Sequence, residues 1–170
     1  MFVVDTNVLV DAFDVASTWH RTCRSALERW RMQAGAWHVT WSIVYEFMRV
    51  MTHRARPRPL TADQALSAVE SLLASPGLSV LTATERHASV LRELVDSVPS
   101  ASGNLLHDAH VVALMHEHGI SRIHTRDVDF HRFPGIEVID PTAPVRPAGA
   151  GERASRYRAG GRRRPVRAAR

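Results

Sequence analysis

The chain has 170 residues, 45% of them hydrophobic, with 22 basic and 17 acidic side chains and a net charge of +5. That length suits one domain with a substantial core, and no apolar run approaches the roughly 18 residues that span a bilayer. The start lacks the pattern of a secretory signal, and the single Cys23, which excludes an internal disulfide, reads as an apolar helix filler in a cytoplasmic protein.

In chain order, Phe2-Val-Val-Asp5 reads as a short buried strand, and Val8-Leu-Val10 begins a helix or turn. Ser17 or Thr18 is placed to cap a helix through about Gln33, with Cys23, Ala26, Leu27 and Trp30 on one face and Gly35 as its stop. Ala36 to Thr40 is a second strand leading into the helix that carries Glu46, and Pro57 and Pro59 mark a loop. Thr61 or Asp63 starts a helix through Leu73, Leu78–Leu81 is a third strand, and Thr84 to Val95 is another helix. Asn104 reads as the N-cap of a helix from Leu105 to His118, stopped by Gly119. Ile120 to Thr125 and Ile136 to Ile139 complete the strands. Strands alternating with helices predict an α/β domain around a largely parallel sheet.

That body ends at residue 141. Residues 141–170 hold nine arginines against one acid, Glu152, whereas the first 140 carry 13 arginines and 16 acids. Residues 142–170 are therefore an Arg-rich tail with the composition of a disordered segment. Arginine pairs well with phosphate, so the tail resembles a basic arm that adds non-specific nucleic-acid affinity. A solvated extension is the plainer alternative.

Five acids lie beside apolar segments: Asp5, Glu46, Asp108, Asp127 and Asp129. A carboxylate next to a core is costly unless it is paired, hydrogen-bonded or bound to a cation. Asp5 ends the first strand, where open α/β sheets place ligands, and Thr6 and Asn7 follow as supporting polar groups; Asp5 is equally suited to cap a helix. Asp108 has Leu105, Val111, Val112 and Met115 as its helical neighbours, which turns it toward the interior side; the alternative is an acid favoured by the helix dipole. Glu46 either joins the acids or pairs with Arg49 one turn on. Asp127 and Asp129 either form a polar turn or lie beyond a strand neighbouring the first. Clustered carboxylates raise one another's pKa unless a cation is bound, and Mg²⁺ or Mn²⁺ prefers such oxygen ligands.

Together, Met1-Phe-Val-Val-Asp5-Thr6-Asn7-Val-Leu, the helical Glu46, Asp108-Ala109 and Thr125-Arg-Asp-Val-Asp-Phe-His-Arg-Phe-Pro-Gly135 resemble a PIN domain. The likeness covers residues 1 to about 141 and is greatest to the VapC-type ribonuclease toxins of toxin–antitoxin pairs. It implies a Rossmann-type α/β/α sandwich and metal-dependent endonucleolytic cleavage of RNA. It also implies Mg²⁺ or Mn²⁺ on Asp5 and Asp108, with Glu46 and Asp127 completing the cluster and Asp129 a fifth member. A small antitoxin and a homodimer are the implied protein partners; the Arg-rich tail departs from the pattern.

Ten histidines raise zinc as an option, but no cysteine pair joins them and their spacing is irregular, so surface or core roles are expected. His107 and His110 flank Asp108, close enough to meet an RNA phosphate. The competing function is a non-catalytic α/β module that binds RNA or protein through a degenerate acidic site.

Overall fold

A computed structural model describes residues 1–33, 35–98 and 102–144. Its sheet contains β1 (Val3–Val4), β2 (Trp37–Thr40), β3 (Leu78–Leu81), β4 (Arg122–His124) and β5 (Glu137–Ile139), all parallel, in the order β3-β2-β1-β4-β5. The helices are α1 (Thr6–Phe13), α2 (His20–Met32), α3 (Trp41–Met51), α4 (Ala62–Leu73), α5 (His87–Ser97) and α6 (Asn104–Glu117), and a 3-10 turn spans Val128–Arg132. Stepping from β1 to β2 to β3 by right-handed crossovers puts α1 to α4 on one face, and returning to β4 puts α5 and α6 on the other. The packing agrees: α1 meets α2 and α3, α3 meets α4, and α5 meets α6. The result is the predicted Rossmann-type α/β/α sandwich.

Covered on both faces, β1 and β2 are buried at every position, as central parallel strands must be. Trp37, Phe47 and Phe130 are the largest side chains enclosed in the core. Cys23 is buried on α2, and burial pushes its thiol up to about 11, an inert filler as expected. His124 packs edge-on against Phe2 and at a tilt against Trp30, with ring centroids 4.6 Å from each. Burial, helped by Arg122 and Arg29, pulls its pKa down to about 4 and keeps it neutral. This is a core histidine. Among the described residues no helix is long and apolar enough to cross a membrane.

Three helix starts differ from expectation. α2 begins at His20 with no side-chain cap, because Ser17 turns its hydroxyl to Asp11 at 2.6 Å and accepts from the Trp19 backbone. α5 begins at His87 rather than Thr84, whose backbone N–H and hydroxyl both donate to Glu117 at 2.6 Å. Asn104 is the first residue inside α6 and not its cap; Gly103 holds that position at a φ of 56°, which a side chain adopts only with strain. Thr61 does cap α4, in a capping box with Gln64. Beyond residue 144 the predicted Arg-rich tail lies outside the described residues.

Candidate active site

The strand order reverses between β1 and β4, since β2 and β3 lie on one side of β1 and β4 and β5 on the other. In open α/β sheets such a switch point opens a crevice at the carboxyl ends of the strands. Val4 is in register with His124, so the residues just beyond, Asp5 and Thr125, are neighbours. The Asp5 backbone N–H donates to the His124 carbonyl at 3.0 Å.

Asp5 caps α1 and also lines the groove at the strand ends. Its Oδ1 accepts from the Thr6 backbone N–H at 2.7 Å, starting α1. Its Oδ2 accepts from the Asn7 amide and the Thr125 hydroxyl, each at 2.6 Å. Thr125, wholly buried, also accepts from Asn7 at 2.8 Å and from the Asp127 backbone N–H at 2.9 Å. Asn7 therefore supports Asp5 as expected. The Thr6 hydroxyl instead donates to Glu46 Oε2 at 3.0 Å, which ties α3 to the cluster.

All five predicted acids line one groove of about 900 Å³. Glu46 keeps its bland partner too, with Arg49 donating to Oε1 at 3.2 Å. Asp127 caps the 3-10 turn through the Asp129 backbone N–H at 2.9 Å, and Asp129 pairs with Arg132 at 3.6 Å. Two of these five carboxyls are shifted. Burial above all, together with the charges of Glu46 and Asp127, raises Asp5 to about 6 against the lowering effect of its Thr125 and Thr6 hydrogen bonds. Asp108, half-buried on α6, is raised to about 7 by burial and then by Asp127, Asp5, Asp129 and Glu46. Asp5 and Asp108 thus sense the charges of the other acids across strands and helices far apart in sequence.

The arginines at the groove do not reach Asp5 or Asp108. Arg49 serves Glu46, and Arg126 lies 3.0 Å from Asp11 with its guanidinium over the Trp19 ring. Among the described residues Asp5 and Asp108 have no ion pair. The same residues contain no ready-made cage of three or more His, Cys, Asp or Glu side chains. Mg²⁺ does not require one, since it is held by one or two carboxylates while keeping several waters. A donor set dominated by carboxylate oxygens, with His107 as the one imidazole lining the groove among the described residues and two carboxyls raised by burial and crowding, fits such an ion.

Sequence reasoning passed over Thr125, Asp11 and Arg126. Thr125 had a readable signal: a short polar residue where an apolar strand runs into the acidic turn. Asp11 and Arg126 carry none, because their pairing exists only once α1 and β4 are side by side.

The PIN domain family profile matches residues 2–136. Ribonuclease VapC48 of Mycobacterium tuberculosis is 34% identical over 138 residues, 81% of this chain and 94% of that protein. The crystal structure of M. tuberculosis VapC20, described as a sarcin-ricin loop cleaving toxin, superposes with a TM-score of 0.56 at 19% identity, covering 77% of this chain and 93% of that one. A toxin–antitoxin complex from Klebsiella pneumoniae superposes with a TM-score of 0.55 at 20% identity, covering 83% and 98%.

Proposed function

Because the chain belongs to the PIN domain family, we propose that it is a metal-dependent endoribonuclease, the toxin of a type II toxin–antitoxin pair, that hydrolyses RNA phosphodiester bonds in the acidic groove. The observation that carries this reading is the convergence of Asp5 and Asp108, from β1 and α6, on one groove with both pKa values raised. Relatives named as ribonucleases support the activity, and solved relatives in complexes with an antitoxin support a protein partner. A small antitoxin, a homodimer and a cytoplasmic location belong to the same proposal.

Asp5 and Asp108 would hold Mg²⁺ or Mn²⁺, which supplies a water of lowered pKa and offsets charge on the phosphate. Thr125 and Asn7 fix Asp5 by donating to Oδ2, so its orientation is set before any ligand arrives. Thr6 holds Glu46 toward the groove. Asp127 acts on both Asp5 and Asp108, whereas Asp129 acts on Asp108 and pairs with Arg132, which favours Asp127 as the fourth acid.

Full-length protein freed of any partner and treated with EDTA is expected to cleave RNA only after Mn²⁺ or Mg²⁺ is added. Asp5→Asn and Asp108→Asn each remove that cleavage. Wild-type protein that binds RNA yet cuts none with either metal would return the reading to a non-catalytic module.

A further inference from the structure

One exposed face of α3 borders the acidic cluster, and its Arg49 also holds Glu46 at 3.2 Å. Tyr45 is 68% exposed and Trp41 47%, high values for large aromatics one helical turn apart. Their ring centroids lie 6.3 Å apart at 44°. Four residues on, one further turn or about 6 Å along the axis, comes exposed Arg49, and His53 follows just past the helix end. Tyr45 and Arg49 both line the acidic groove. Arg49 and Val50 continue into a second, shallower pocket of about 310 Å³ completed by His53, Ala55 and Arg56. Arg54 and Arg58, both exposed, extend the basic character into the loop. Arg56 is already committed to Asp14.

We propose that this face is a single-stranded RNA track: the base next to the scissile phosphate stacks on Tyr45 and Trp41, and the following phosphates run along Arg49, His53 and Arg54. The inference rests on the ribonuclease reading and adds the state of the substrate and the residues that select it. Two arguments favour RNA over a protein partner on this face. Its aromatic end adjoins the acidic groove, and its far end is basic on every turn, complementary to a polyanion. Exposed aromatics take any base but need it unpaired, since a duplex hides its base faces. The track therefore selects loops and single strands rather than helices.

The test uses full-length Asp108→Asn protein, which binds without turnover, and a labelled mixed-sequence 12-nucleotide RNA followed by fluorescence anisotropy. Adding Tyr45→Ala or Trp41→Ala is expected to weaken binding about fivefold or more, the loss of one stacked base, while Tyr45→Phe keeps it. The same RNA annealed to its complement binds less tightly and does not respond to Tyr45→Ala. Unchanged single-strand affinity in both alanine variants overturns the track and leaves the ribonuclease reading standing. If these variants instead lose self-association or antitoxin binding with RNA affinity intact, the face is a protein interface and the track is overturned. Should wild-type protein neither bind nor cleave RNA, the ribonuclease reading falls and takes the track with it.

Discussion

Asp5 is 8% exposed, and its carboxyl stands at about 6 against an unfolded value of 3.8. A group raised in this way contributes stability that is full below pH 3.8 and lost as pH rises through about 6. The shift is roughly 2 units, and at about 1.4 kcal/mol per unit the metal-free protein loses about 3 kcal/mol from Asp5 between pH 4 and 7.5. Asp108 acts in the same direction, weakened by its exposure to solvent. His124 opposes both: its contribution is full above 6.5 and lost as pH falls through about 4. The wild-type stability curve is therefore a compromise, and a difference measurement is needed. Asp5→Asn removes the titration but leaves His124 unchanged. Its amide also faces the donors of Thr6, Asn7 and Thr125, an offset of about 1–3 kcal/mol that moves the difference curve without giving it a slope. Urea unfolding of both proteins in EDTA, from pH 4 to 7.5, should show wild type losing about 3 kcal/mol relative to the variant. Saturating Mn²⁺ should cancel that loss in wild type alone, because the ion binds the ionised form. A difference that stays flat across the range would mean that Asp5 ionises like a surface carboxyl, and the burial argument fails.

Thr125→Val keeps the shape of a wholly buried side chain but removes one of three donors to Asp5; Mn²⁺ affinity by calorimetry is expected to fall about 10- to 100-fold, as for other residues that orient a ligand from behind. Arg126→Ala strands the Asp11 carboxylate, whose side chain is 11% exposed, and should lower stability by about 1–2 kcal/mol in urea; an unchanged midpoint refutes a structural role for the pair. Deleting residues 142–170 should weaken RNA binding and flatten its dependence on salt, since the segment carries arginine almost to the exclusion of acids. Identical salt slopes with and without the tail reject it as a phosphate-binding arm.

The alternation of strands and helices was legible in the sequence because β1 and β2 are covered on both faces, which demands continuous apolar runs. Helix ends were less so. Asn104 has the chemistry of a cap, yet Gly103 takes the position because the chain turns there through a positive φ that asparagine tolerates less well. Thr84 looked like a helix start until Glu117, 33 residues away, claimed both of its donors. For the acids, a cap or an ion pair and a place in the groove are not exclusive. Asp5 caps α1 and faces the groove, Glu46 holds Arg49 and faces the groove, and Asp127 caps the turn and faces the groove. A carboxylate has two oxygens with several lone pairs, so a local role uses part of its capacity and leaves the rest free. The aromatic pair on α3 was hidden for a different reason. Trp41 and Tyr45 read as core residues by type, and only exposure separates them from Phe47.

A comparison inside α1 bears on the proposed cation. Asp5 caps this helix and Asp11 lies on it, and each is 8% exposed. Asp11 receives countercharge from the chain itself, through Arg126 at 3.0 Å, together with the Ser17 hydroxyl. Asp5 receives only neutral donors from Thr6, Asn7 and Thr125, and the charged groups acting on it are further acids, Glu46 and Asp127. If the sole purpose of Asp5 were to cap α1, asparagine or serine would do so with no charge to bury. An arginine could have balanced it, as one does for its neighbour two turns along. Asp5 is thus a buried carboxylate oriented by neutral donors, crowded by acids and given no guanidinium, and the proposed metal would supply the positive charge that the chain does not.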